Sequence, residues 1–187
     1  MNTEVGPELT TNWGAAATEP VPLVVLSLDS HSAEETRAIG RRLAAGLFPG
    51  QVIALQGTLG AGKTTLVQGI AAALGISGRV TSPTFTLVNE YRSPAGFRLI
   101  HADTYRLDED RALAQLEAET FGLDETLESS RDVVLVEWAE RVAPLLPADH
   151  LLIRLEPGLE PDERSITMSA FGPRSAEVLA VLNSSCA

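Results

Sequence analysis

The segment Gly57-Thr58-Leu59-Gly60-Ala61-Gly62-Lys63-Thr64 fits the pattern G-x-x-x-x-G-K-[ST] at every position. It constrains the fold more than any other stretch, because such a loop works only between a buried strand and the helix that follows it. Its glycines let the backbone curl until several N–H groups converge on phosphate oxygens, and the helix adds the positive end of its dipole. Both flanks are present. "QVIAL" (51–55) is an apolar run of strand length, and a helix is expected over 63–74, stopped by Gly75. In such a loop the lysine reaches the β- and γ-phosphates and the Thr64 hydroxyl ligates Mg²⁺.

Lys63 is the only lysine in the chain; the other thirteen Lys/Arg side chains are arginines. Arginine offers a wide planar fork, whereas lysine is a compact point charge on a flexible stem, which suits a narrow phosphate nest. The same fact excludes guanine selection through an N-K-x-D motif, since no second lysine exists to supply it.

The remaining punctuation places the loop in an α/β chain. "LVVLSL" (23–28) is a short apolar strand, and a helix follows with Ser32 and Glu35 at capping-box spacing. "TFTLVNEY" (84–91) and "FRLIHAD" (97–103) predict two strands around a Pro-Ala-Gly turn, and an acidic helix is expected over 108–120. "DVVLVEW" (132–138) has the continuous apolarity of a strand buried on both faces. "HLLIRLEP" (150–157) and "RSITMSAFG" (164–172) predict two more strands, and 173–182 a closing helix with Pro173 at its start. The expected fold is an α/β P-loop NTPase: three α/β/α layers around a mixed, mainly parallel sheet with an inserted antiparallel pair. Residues 1–20 are polar, small and aperiodic, which predicts a disordered tail ahead of a single P-loop ATPase domain over 21–187.

A P-loop also needs an acid at a neighbouring strand end to position Mg²⁺ and the attacking water. Asp103 closes "RLIHAD" and Glu137 closes "DVVLVE". If their strands flank the loop strand, both emerge at the carboxyl edge of the sheet. The plain alternatives are a turn-initiating aspartate and a strand-end surface charge. Function is preferred for both, because an isolated acid after a buried strand is costly unless paired. His101, on the strand face of Asp103, is either a pH-sensitive partner or a satisfied structural histidine, the latter being preferred, and Trp138 belongs either to the core or to the rim of the site. Ser82, Thr84 and Thr86 surround Pro83 either as switch hydroxyls or as an ordinary strand entry; spacing alone favours the latter.

The formal net charge is −11, and residues 108–132 hold nine Asp/Glu against Arg111 and Arg131. That stretch is either a solvated face or a surface for a basic partner. Either way it argues against an unaided grip on nucleic acid, which requires a basic face. No apolar run approaches the ~20 residues needed to span a bilayer, and the N-terminus lacks the layout of a secretory signal. The lone Cys186 permits no internal disulfide. A cytosolic protein without membrane contact is expected.

Taken together, "GTLGAGKTTLVQGIAAALG", "VTSPTFTLVNEY", "LIHADTYRL" and "VVLVEWAER" resemble the bacterial TsaE (YjeE) family in order and spacing, over about residues 23–172. The resemblance implies a cytoplasmic Mg²⁺-dependent ATPase of tRNA threonylcarbamoyladenosine biosynthesis. Its implied partners are TsaD and TsaB, which transfer threonylcarbamoyl to an anticodon-loop adenosine. ATP hydrolysis would reset that complex between turnovers, and tRNA would be met only through it. Carried onto this chain, the ATP-binding residues are Leu59, Gly60, Ala61, Gly62, Lys63, Thr64 and Thr65, with Asp103 at the nucleotide–metal centre positioning water. Thr64 and Glu137 would hold the metal, and Lys63, Asp103 and Glu137 would carry catalysis. Ser82 and Thr84 become switch candidates, and Ser32–Ala33 would approach the adenine. One departure is Thr58, where family members often carry an acid.

Three rivals make different demands. A small-molecule kinase would need arginines at an acceptor site, for which Arg92 and Arg98 are the candidates. A regulatory GTPase lacks its guanine-selecting lysine. A nucleotide-stabilised scaffold would hydrolyse almost nothing alone, which overlaps with an ATPase completed by partners. Arg106 is the candidate for a built-in arginine finger.

Overall fold

The computed structural model describes residues 20–184, so Cys186 and almost all of the expected tail lie outside the described residues. Among the described residues seven strands form one sheet: β1 (Val24–Ser30), β2 (Val52–Gln56), β3 (Val88–Arg92), β4 (Arg98–Asp103), β5 (Val133–Glu137), β6 (Leu151–Pro157) and β7 (Arg164–Ala170), in the order β1-β7-β6-β2-β5-β4-β3. β6, β2, β5 and β4 are mutually parallel, while β7 and β3 run against them. β1 pairs antiparallel with β7 and so shares the direction of the centre. The sheet is mixed, with its loop strand β2 in the parallel middle.

Side chains alternate across the central strands, and both faces are apolar. Ile53 and Leu55 of β2 face one core with Leu135 and Ile153, beneath the helices α1 (Ala33–Ala44), α2 (Lys63–Ala73) and α5 (Pro173–Ser184). Val52 and Ala54 face a second core with Val134 and Val136, beneath α3 (Arg111–Thr120), α4 (Leu123–Leu127) and a 3-10 segment, Ala139–Leu145. Burial on both faces is why β2 and β5 show no polar alternation in sequence. Each large core side chain contributes about 1.5–3 kcal/mol. α1 and α2 meet backbone to backbone: a methyl group at Gly40 would collide with the Leu66 carbonyl, and one at Gly69 with the Arg37 backbone. This close approach sets the beginning of α2 against α1.

The structure corrects the sequence expectation at several edges. The strand expected over 84–91 starts only at Val88. The Pro83 carbonyl accepts the N–H groups of Thr86 (2.9 Å) and Leu87 (2.7 Å), and Leu87 sits at φ 66°. This local turn overrides the strand preference of the threonines. The acidic helix begins at Arg111, because the Asp110 carboxylate caps it by accepting from the N–H groups of Ala112 and Leu113. α4 and the 3-10 segment are too short to show a period in sequence. Among the described residues no helix is long and apolar enough to cross a membrane.

Candidate functional site

The loop joins β2 to α2 at the carboxyl edge of the sheet. Gly62, the residue before α2, has φ 106° and no side chain with which to cap the helix. The first turn contains no acid, and the first intrahelical bond runs from Leu66 N–H to the Gly62 carbonyl (2.9 Å). The N–H groups of Lys63, Thr64 and Thr65 therefore have no acceptor within the helix. A bound anion supplies acceptors to such a start. Ala61 is buried, whereas Leu59 is 81% exposed.

Lys63 is buried. Its Nζ donates to the carbonyls of Gly57 (2.6 Å) and Thr58 (3.0 Å) and stands 4.0 Å from the centre of the Trp138 ring. Desolvation lowers its pKa from the ordinary 10.5, and the nearby carboxylates of Glu137, Glu140 and Asp103 oppose that shift. Trp138, open between core and rim in the sequence reading, lies at the rim. Its backbone is left-handed (φ 59°), and the Thr104 hydroxyl holds the bend by donating to the carbonyls of Glu137 (3.0 Å) and Trp138 (2.7 Å).

The two strand-end acids are register partners across β4 and β5, and Glu137 also pairs in register with Leu55 of the loop strand. Both are buried. Glu137 Oε1 accepts from Thr64 Oγ1 (2.7 Å) and lies 2.9 Å from His101 Nε2. Asp103 Oδ2 accepts from Ser82 Oγ and from Thr84 Oγ1 (2.6 Å), and Oδ1 accepts from Tyr105 N–H (2.9 Å). The structure thus brings Lys63, Thr64, Asp103 and Glu137 together, and ties Ser82 and Thr84 to Asp103. The donor set of one hydroxyl and two carboxylates is hard oxygen, as Mg²⁺ requires. Among the described residues no group of three or more His, Cys, Asp or Glu forms a cage by itself. Mg²⁺ suits that arrangement, because it binds through one or two carboxylates plus substrate phosphates.

One contributor carries no sequence signal. Arg164, at the start of β7, donates from Nε to the Ala61 carbonyl (3.1 Å) and from Nη2 to that of Gly60 (3.3 Å). With Asp162, Thr65, Thr36 and Ala33 it borders a cleft of about 80 Å³ beside the loop. Ala33 therefore lies next to the loop, while the Ser32 hydroxyl accepts from the N–H of Glu35 (3.1 Å). No pattern near residue 164 marks it; the β6–β7 hairpin alone brings it there.

The arginines that a kinase would need lie elsewhere. Arg98 opens β4 at the end opposite Asp103, roughly 17 Å away at 3.3 Å per residue. It is paired with Asp132 (2.7 Å) and Glu90 (3.0 Å), and Arg92 is its register partner. Arg106 stacks 4.6 Å over the exposed Phe85 ring.

The chain is similar to known proteins over most of its length. The family described as "Threonylcarbamoyl adenosine biosynthesis protein TsaE" matches residues 30–166. A "tRNA threonylcarbamoyladenosine biosynthesis protein TsaE" of Bacillus subtilis is 43% identical over 141 residues, covering 75% of this chain and 83% of the relative. The protein of the same description from Streptomyces coelicolor is 41% identical over 144 residues, covering 75% and 93%. The crystal structure of Bacillus subtilis YdiB superposes with a TM-score of 0.72 at 36% identity, covering 88% of this chain and 97% of that one.

Proposed function

The chain belongs to the TsaE family of tRNA threonylcarbamoyladenosine biosynthesis proteins, and on that premise we propose that it serves the modification as a Mg²⁺-dependent ATPase. The observation that carries this reading is the contact between Thr64 Oγ1 and Glu137 Oε1 (2.7 Å), which joins the uncapped helix start to a strand-end acid at one point.

Between Leu59 and Thr65 the backbone offers N–H groups to the phosphates, except at Ala61, whose N–H goes to the Thr58 carbonyl (3.1 Å), and Lys63 adds a point charge. Thr64 and Glu137 hold Mg²⁺, with Asp103 next to them. The metal, when bound, neutralises charge that develops on the transferred phosphoryl group. Asp103 orients the attacking water. Of its four lone-pair sites, Ser82, Thr84 and the Tyr105 N–H occupy three, which leaves one on Oδ1 for a water proton. The Ser82–Thr84 turn thereby acts as the switch segment through Asp103.

Among the described residues Arg106, Arg98 and Arg164 are each engaged elsewhere: Arg106 rests on Phe85, Arg98 is committed to Asp132, and Arg164 donates to the loop carbonyls of Ala61 and Gly60. Weak hydrolysis alone, raised by the TsaD–TsaB complex, follows from that. The net charge of −11 fits a cytoplasmic subunit that meets tRNA only through its partners. The test is phosphate release from ATP and from GTP, with and without TsaD–TsaB. ATP-selective release stimulated by the complex is expected. Equal use of GTP, or transfer of the phosphoryl group to a metabolite rather than to water, sinks the reading.

A further inference from the structure

Glu137 has two carboxylate oxygens, and they are not equivalent. Oε1 receives both Thr64 Oγ1 (2.7 Å) and His101 Nε2 (2.9 Å). Among the described residues Oε2 makes no hydrogen bond to protein. His101 is 0% exposed, and its second ring nitrogen, Nδ1, is buried without a partner. A carboxylate only accepts, so Nε2 is the donor in this pair. Buried polar groups retained for packing alone are ordinarily satisfied. Here one end of the ring goes unpartnered while the other is spent on Glu137. His101 also reaches Glu137 from the adjacent strand β4, so the contact is fixed by sheet register rather than by a loop.

We propose that His101 is a positioning residue of the site: its Nε2–H holds Glu137 Oε1 inward, beside Thr64, and leaves Oε2 as the oxygen presented to the metal. This rests on the reading of Thr64 and Glu137 as the metal's protein ligands. His101 touches neither metal nor nucleotide and acts only through the carboxylate. A hydrogen-bonded partner behind a ligand of this kind commonly governs metal affinity by about 10- to 100-fold.

The experiment uses the full chain with ADP, and Mn²⁺ as the probe, its free concentration read by electron paramagnetic resonance. His101→Leu removes the donor and keeps an apolar filling; His101→Gln restores an N–H at similar reach. His101→Leu is expected to weaken Mn²⁺ binding to the ADP complex by about 10- to 100-fold. ADP affinity in EDTA should be unchanged, and His101→Gln should recover most of the loss. Unchanged Mn²⁺ affinity in His101→Leu, with only a lower melting temperature, overturns the proposal and leaves His101 a packing residue. A His101→Gln protein as weak as His101→Leu also overturns it. Wild-type protein that binds ADP but no Mn²⁺ instead refutes the underlying metal assignment. Should His101→Leu not fold, ¹⁵N-histidine NMR of the wild type decides. The His101 Nε2–H resonance must shift when Mg²⁺ joins the ADP complex, and no shift overturns the proposal.

Discussion

α1 and α2 lie side by side in one layer, and they begin in opposite ways. The start of α1 is closed by its own side chains. Ser32 Oγ accepts from Glu35 N–H (3.1 Å), Glu35 Oε2 accepts from His31 N–H (2.8 Å), and the acids Glu34 and Glu35 face the positive helix end. α2 begins at a glycine with no cap and no acid, and its first two side chains turn to loop carbonyls and to Glu137. A glycine in place of a capping side chain forgoes only about a few tenths of a kcal/mol. The closed start supports the fold, while the open one gives up stability that a bound phosphate would return.

Lys63→Met tests the open start most severely. Losing the lysine's bonds to the β- and γ-phosphates, about 1.5–3 kcal/mol each, should weaken ATP binding by about 10²- to 10⁴-fold in calorimetric titration. The melting temperature should stay at or above that of the wild type, because a buried ammonium is gone. The pH dependence follows from linkage. Burial holds the folded pKa of Lys63 below 10.5, so the unfolded chain binds more protons between the lowered value and 10.5. Wild-type stability gains a rising component across that window, and Lys63→Met should lack it. Retained affinity would make the start of α2 as structural as that of α1.

Gly62→Ala imposes the left-handed cost of roughly 1–2 kcal/mol on the same start. The nearest atoms to an added methyl are Leu155 Cδ2 at 3.6 Å and Thr36 Cγ2 at 3.8 Å, so the effect is conformational rather than steric. A melting temperature lower by about 2–8 °C is expected. Mg²⁺-ADP should protect the variant less than it protects the wild type. Ser32→Ala, at the closed start, should cost about 1 kcal/mol and leave ATP affinity unchanged. A fall in affinity would show that Ser32 serves the nucleotide as well as the helix.

The smallest effect belongs to α5, another closed start. Asp149 accepts from the N–H groups of Arg174 and Ser175 (3.0 Å each) and from Ser175 Oγ (2.6 Å). Burial pushes its carboxyl pKa up, but these donors outweigh burial and hold it below 3.8. Its contribution is therefore present above pH 3.8 and lost as pH falls through the lowered folded value. Asp149→Asn keeps a capping oxygen, so it should cost only a few tenths of a kcal/mol at neutral pH. It should also remove that part of the acid-side loss in melts between pH 6 and pH 3.

Much of this was legible along the chain because it is local. The glycines, lysine and threonine of the loop declare a strand-to-helix turn, and the apolar run 133–136 before Glu137 declares a strand buried on both faces. The threonines after Pro83 misled, because strand preference competes there with a turn whose hydroxyls serve Asp103. The partner of His101 was not legible in sequence, because only the sheet places Glu137 beside it. Arg164 carried no sign of its place at the loop.

By itself the sequence determined the backbone: where it can turn left-handed, which runs are apolar enough to be buried, and which helix start lacks a cap. These follow from the intrinsic preferences of single residues and short windows. Only the tertiary structure decided which distant groups share an oxygen. Thr64 and Glu137 are 73 residues apart, and His101 and Glu137 are 36 apart. Their meeting depends on β2, β5 and β4 being neighbours in register. Strand order is settled by the packing of both sheet faces at once, a global property that no local window contains.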